Sequence, residues 1–427
     1  MGLFRACRKQ LYEQAGAHSL RGERFGSSLV LETWLRDYRA LGTDTPEFSA
    51  LMGVEPFFLT SKRLNVLNHP ARTCSFMARQ GDQRLTLRFG LIGCGEIGRL
   101  RAAALKRCAT AQLVAVTDID HRLSETVGAR YCSLVEDDWH MMVRRDDIDA
   151  VIVSTPPSLH AEMSIEALNA GKHVLCEKPL ARNPAECHAM VAAAKTNDRF
   201  LATGFNYRFY PSIEKARALL DSGLIGKLDH VRAYTGYSAA EHNHDWLHDS
   251  EIMGGGALRD NGIHLIDLTC YFLGEVVEVK GFASNSVWGF KGCEDNGFAL
   301  LRNSAGKIAT LQASWTEWRR YSFRIEIYGT RGCIRTSCFP MLTQVTWSKE
   351  LAGKTNRRNY FFPMTHICEH VRSYRWVVVQ SFQRELNAFC RSVLEEYTEV
   401  ATGEDGLRAV EIANAVSHHK DNKGVQV

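Results

Sequence analysis

From Leu87 onward, apolar residues come in short continuous runs separated by amphipathic stretches. LRFGLI (87–92), LVAVT (113–117), AVIVS (150–154), HVLC (173–176) and FLATG (200–204) are rich in branched side chains and nearly uninterrupted. Between them, AEMSIEALNAG (161–171) and AECHAMVAAAK (185–195) read as helices. Continuous apolar strands alternating with helices predict a parallel sheet covered on both faces. After about residue 225 the period falls to two. VRAYTGY (231–237), VVEVKGF (276–282), IATLQASW (308–315) and FRIEIYG (323–329) alternate, with Phe323, Ile325 and Ile327 on one face and Arg324 and Glu326 on the other. That pattern predicts an antiparallel sheet with one buried face. The second face still carries Tyr, Trp and Val, which points to burial against a partner subunit. Helices at Ser381–Glu396 and Gly403–Ser417 are expected to close this part. The fold class is α/β, with a parallel sheet first and an antiparallel one after it.

Residues 1–85 do not share this pattern. Leu31, Trp34, Leu35 and Tyr38 recur at helical spacing and Gly42 offers a stop, but no chemical motif stands there. The expected organisation is an extension of unknown role (1–85), a dinucleotide-binding domain (86–206) and a substrate-binding and oligomerisation domain (207–427). The extension carries 12 Lys and Arg against 8 Asp and Glu, which is the whole net charge of +4; the remainder balances at 40 against 40. A neutral main body argues against nucleic acid as a partner. No apolar stretch is long enough for a membrane span. Thirteen cysteines, none spaced Cys-x-x-Cys, fit reduced, cytoplasmic usage rather than a disulfide or zinc framework.

The first strand runs into Gly93-Cys94-Gly95-Glu96-Ile97-Gly98, and a helix follows. The second strand ends at Thr117-Asp118. Together these match a dinucleotide fingerprint. Gly93 permits the tight turn, Gly95 admits the pyrophosphate and Gly98 lets helix and strand pack. Asp118 would accept from the ribose hydroxyls and favours NAD; nearby Arg122 leaves NADP open. Ser154, Thr155 and Pro156 end the third strand and suit the nicotinamide side of the crevice. For His160, cofactor contact and packing on the loop stand as equal readings. In KHVLCEKPL (172–180), Glu177 and Lys178 stand at the mouth of a buried strand, where ligands of open α/β sheets bind.

With GCGEIG (93–98), TPPSLH (155–160), CEKPL (176–180), GFNYRF (204–209), GGGALRDNGIHLIDL (254–268) and TGEDGLRAVEIANA (402–415), the sequence resembles the glucose–fructose oxidoreductase / inositol dehydrogenase (Gfo/Idh/MocA) family over about residues 86–419. The resemblance implies a Rossmann domain, a C-terminal domain with a large, mostly antiparallel sheet that oligomerises, and catalytic roles for Lys178, Asp260 and His264. Asp260 and His264, four residues apart, would share one helix face, the carboxylate orienting the imidazole. His264 would take the hydroxyl proton, Lys178 would hold the oxygen, and the cofactor would accept the hydride. The Gly254–Gly256 run would let backbone crowd the ligand. Arg208 reads as a sugar or cofactor contact, or equally as a structural ion pair. Asn206, Arg208, Trp246 and Asn261 are the substrate candidates. EHNHDWLHD (241–249) reads as a substrate loop rather than a metal site, and no metal is expected; His366–His370 is at most a remote zinc reading. The expected function is NAD-dependent oxidation of a hydroxyl on a sugar, cyclitol or nucleotide sugar, by a homodimer or homotetramer. The alternatives are an NAD-dependent glycosidase and a cofactor-binding sugar sensor.

Overall fold

The structure is a computed structural model that describes residues 86–417, apart from 243, 319, 352, 364, 366–373 and 396–398. The helix read at Leu31–Tyr38 and the His366–His370 stretch lie outside the described residues. The first part of the chain runs β1 (Leu87–Ile92), α1 (Glu96–Leu105), β2 (Ala111–Thr117), α2 (His121–Tyr131), β3 (Leu134–Val135), α3 (Trp139–Val143), β4 (Ala150–Val153), α4 (His160–Asn169), β5 (His173–Cys176), α5 (Pro184–Thr196) and β6 (Leu201–Thr203). These strands form a six-stranded parallel sheet in the order β3-β2-β1-β4-β5-β6. The order reverses between β1 and β4, so the crevice at their carboxyl ends is the ligand position such sheets offer. β4 is buried at every position, as helices on both faces require.

The second part runs α6 (Pro211–Asp221), β7 (Leu228–Gly236), α7 (Ser250–Met253), α8 (Asn261–Leu273), β8 (Val276–Ser284), β9 (Asn296–Asn303), β10 (Ile308–Ser314), β11 (Ser322–Gly329), β12 (Gly332–Cys338), β13 (Met341–Ser348), β14 (Thr355–Phe361), α9 (Tyr374–Leu394) and α10 (Gly403–Ser417). Its eight strands order β14-β13-β12-β11-β7-β10-β9-β8, with only the β7–β10 pair parallel. Phe323, Ile325 and Ile327 of β11 are buried, matching the alternation. α8 lies against β7 and β10 on the covered face. The other face leaves Phe282, Phe298 and Leu300 67%, 48% and 53% exposed.

Two features depart from the sequence expectation. β9 and β12–β14 lie outside the four alternating runs, and the two-residue β3 outside the five continuous ones. In β9, inward Ala299 and Leu301 alternate with outward Phe298 and Leu300, so both faces are apolar and no polarity rhythm survives. β14, TNRRNYF, is an exposed edge strand with almost no apolar face. The second departure is α9, which begins at Tyr374 rather than Ser381 and was assigned with the second sheet. It packs on the first: Phe389 meets Phe89 at 5.8 Å and Phe200 at 5.7 Å, and Phe382 and Leu386 share one core with Ala102 and Leu105.

Candidate active site

The glycine loop closes on the end of β4. Gly93 has φ +92°, and a side chain there would meet the Ser154 carbonyl oxygen at 2.5 Å. A side chain on Gly98 would overlap the Gly93 oxygen. Both positions therefore exclude a Cβ. Gly95 differs, because nothing lies within 4 Å of where its side chain would stand. It caps α1 without a side-chain hydrogen bond, so the first amides of the helix keep no side-chain cap. Open space before uncapped amides is what a pyrophosphate requires. In the facing wall, the Ser154 hydroxyl is buried without a partner among the described residues. These residues fit a dinucleotide.

Asp118 braces the loop as well as lying at the end of β2. Its Oδ2 accepts from the Cys94 amide at 2.6 Å and its Oδ1 from the Asp120 amide at 2.8 Å. Each oxygen keeps a second lone pair for a ribose hydroxyl. Glu96 pairs with Arg375 at 3.0 Å, Ile97 is exposed and the Thr155 hydroxyl lies 3.7 Å from the Met163 sulfur. Pro156 leads into the turn that starts α4.

Two expected cofactor contacts are occupied otherwise. His160 is fully buried; its Nδ1 lies 2.9 Å from the Pro179 oxygen and its Nε2 2.8 Å from the Thr155 oxygen. Both ring nitrogens are engaged, so packing on the loop is the reading that holds. Glu177 points inward and accepts from Arg101 Nε at 2.6 Å. Arg101, on α1, also donates to Glu385 of α9 and lies 3.8 Å over the Phe382 ring. Both residues hold the turn that carries Lys178. One guanidinium cannot neutralise two buried carboxylates, and burial pushes the Glu385 carboxyl up to about 7.

Lys178 reaches from the end of β5 to the start of α8. Its ammonium donates to the Asp260 carbonyl oxygen at 3.2 Å and to Oδ1 at 3.4 Å. Asp260 precedes α8 instead of lying within it, with φ −80° and ψ −104°. The helix-face pairing with His264 therefore does not form. The Asp260 carboxylate instead takes hydrogen bonds from the Tyr237 hydroxyl and from Trp315 Nε1 at 3.3 Å. Burial pushes its pKa up, but Lys178, Tyr237, His242 and Trp315 bring it below the usual carboxylate value. His264 lies one turn into α8, stacked on Tyr207 at 4.0 Å with the rings 8° from parallel. Its Nδ1 is buried without a partner among the described residues. Burial, then the cations of Lys178 and Arg101, hold its pKa well below the usual value, so the ring is neutral at pH 7. Tyr207, not Asp260, orients it.

The remaining candidates divide. Arg208 grips Asp267 at 2.5 and 3.0 Å and reaches Asp405 at 3.4 Å, which is the structural ion pair. Asn206 donates to the Ser381 hydroxyl at 2.8 Å, tying its turn to α9. Asn261 opens α8 beside Asp260, and Trp246 is part-exposed with His244 6.0 Å away. Gly254 and Gly256 crowd the backbones of Arg182 and Glu294 rather than the site. Among the described residues no three His, Cys, Asp or Glu converge as a metal site. Sequence reasoning missed Arg101, Tyr207, Tyr237 and Trp315. Tyr237 and Trp315 do end two of the alternating runs, and a polar-tipped aromatic at a strand's end was the available signal.

The model for the oxidoreductase family with an NAD-binding Rossmann fold matches residues 87–205, and the GFO/IDH/MocA C-terminal domain matches residues 213–335. The myo-inositol 2-dehydrogenase of Thermotoga maritima is 32% identical over 343 residues, covering 79% of this chain and 97% of that one. The inositol 2-dehydrogenase of Rhizobium meliloti is 30% identical over 340 residues, 78% and 96% of the two chains. A solved levoglucosan dehydrogenase in complex with NADH aligns with a TM-score of 0.71 at 25% identity, covering 78% of this chain and 97% of its own. The glycine cradle, the two sheets and these matches together make the chain a member of the Gfo/Idh/MocA family and an NAD-binding oxidoreductase.

Proposed function

We propose that the chain oxidises a secondary hydroxyl of a sugar, cyclitol or nucleotide sugar. The observation that carries this reading is the meeting of Lys178, from the dinucleotide-binding sheet, with Asp260, from the second part, beside His264. The inositol dehydrogenase relatives and the levoglucosan dehydrogenase structure support the substrate class. The α1 amides and Gly95 would hold the pyrophosphate, Asp118 the adenosine ribose, and Ser154 and Thr155 the nicotinamide side. Bound NAD supplies the hydride acceptor.

Lys178 holds the hydroxyl oxygen and favours its developing negative charge. His264, being neutral, accepts the proton. Burial and two nearby cations make an imidazolium unstable there, so the proton must pass on. The adjacent ionised acceptor is Asp260: Lys178 releases one N–H proton to Oδ1 and takes the imidazolium proton in its place, so the ammonium ends unchanged. The second sheet's uncovered face completes the proposal. Phe282, Phe298 and Leu300 are rimmed by Arg232, Lys280, Arg324 and Glu326, and mixed charge around an apolar centre is self-complementary. A second copy of this chain is the occupant. The functional test is NADH formation over cyclitols, aldoses and UDP-sugars. Product forming in step with NADH supports the reading. Glycoside cleavage without NADH accumulation would replace it with the glycosidase one.

A further inference from the structure

Asp260 is also the inner end of a longer chain of polar groups. His242 Nε2 lies 2.5 Å from the Tyr237 hydroxyl, which itself donates to Asp260 Oδ2. The Nδ1 of the same His242 ring lies 2.5 Å from His248 Nε2. The His242 side chain is 2% exposed, and His248 is part-exposed. Aromatic walls fix the rings: Trp315 stands edge-on to His242 at 4.9 Å, and Phe290 stacks on His248 at 3.9 Å. A brace for Asp260 is already complete with Lys178, Tyr237 and Trp315. The two imidazoles extend past it, His242 joined through both ring nitrogens and His248 through Nε2. An imidazole binds a proton on one nitrogen while releasing another from the second, which is what a shuttle needs.

We propose that Tyr237, His242 and His248 form a proton relay between Asp260 and solvent. This rests on the dehydrogenase reading above, and it adds residues that reading does not require. As the alcohol O–H bond breaks, His264 takes its proton and passes it to Lys178 while Lys178 releases one of its own to Asp260 Oδ1. Asp260 passes a proton to the Tyr237 oxygen while Tyr237 releases its own to His242 Nε2. His242 releases its Nδ1 proton to His248 Nε2, and His248 releases one from Nδ1 to water. One proton enters, one leaves, and no electrons move. The hydroxyl then rotates and the imidazoles exchange tautomers, which resets the chain. Carbonyl reduction runs the same path inward. These three are positioning and relay residues; none touches the reacting carbon.

The test uses the full chain, NAD and a panel of myo-inositol, D-glucose and UDP-glucose, comparing wild type with H242F and H248F. The relay predicts that KM and NAD affinity hold while kcat falls by roughly 100-fold or more. Added imidazole should restore part of the rate, and the solvent deuterium effect on kcat should differ from wild type. H248F sits at the part-exposed end, so it reports even where H242F folds poorly. Unchanged kcat in H248F overturns the relay. So does a loss with raised KM that imidazole does not rescue, which marks a brace. A wild type inert on the whole panel overturns the dehydrogenase reading itself.

Discussion

Lys178 shows what a single residue reveals from sequence alone. A cation placed directly after a buried strand, at the carboxyl edge of a parallel sheet, is already a site candidate, and the structure puts its ammonium on Asp260. The glycines were legible for the same reason, because backbone constraints are local. They separate by chemistry: G98A drives a Cβ into the Gly93 oxygen, whereas G95A meets only open space. We therefore expect G95A to keep its melting temperature while NAD affinity, measured calorimetrically, weakens about tenfold or more, a loss of about 1.4 kcal/mol. G98A should lose stability as well. Equal stability losses in both would contradict the cradle. Arg208 and His160 were not legible, because a buried charge or ring looks alike in sequence whether it faces a ligand or another part of the chain. Only the partners decide, and those partners, Asp267 and the Pro179 carbonyl, are 59 and 19 residues away.

At the scale of elements, strands were readable where one rhythm dominated and lost where both faces agreed in polarity, as in apolar β9 and polar β14. Helix α9 was found but misassigned, since its apolar stripe does not say which sheet it covers. Its anchor is the buried Arg101–Glu385 contact. Glu385 is held at about 7, above its ordinary 4.5. A folded-state pKa raised in this way contributes stability that is full below about 4.5 and lost as pH rises through about 7. Glutamine mimics the protonated acid. E385Q should therefore match wild type near pH 4.5 and exceed it increasingly towards pH 8, by about 1–3 kcal/mol. Thermal melts across that range check this. An E385Q deficit that deepens with pH would mean that pairing to Arg101 outweighs burial.

For the whole molecule, the two-sheet architecture followed from the change of period near residue 225, and the parallel sheet is the more completely legible half. The site lies where loops and ends from both halves converge, which is why its Lys–Asp pair was found by motif, Tyr237 and Trp315 were not, and the imidazoles beyond were legible only as part of a substrate loop. Assembly belongs to this scale too. Phe298 and Leu300 stand outward on β9, and charges there should prevent self-association without entering the site. Light scattering of F298E/L300E is expected to give a monomer where wild type gives a dimer or larger. An unaltered mass would remove the sheet face as the interface.

The proposed function makes Lys178 and His264 the residues that perform alcohol oxidation on bound NAD. It is tested most directly by measuring NADH formation and NAD binding side by side in wild type, K178A and H264A, on the best substrate of the screen. Turnover should fall by roughly 10²–10⁴-fold in each variant with NAD affinity retained. Turnover preserved in both variants would contradict it.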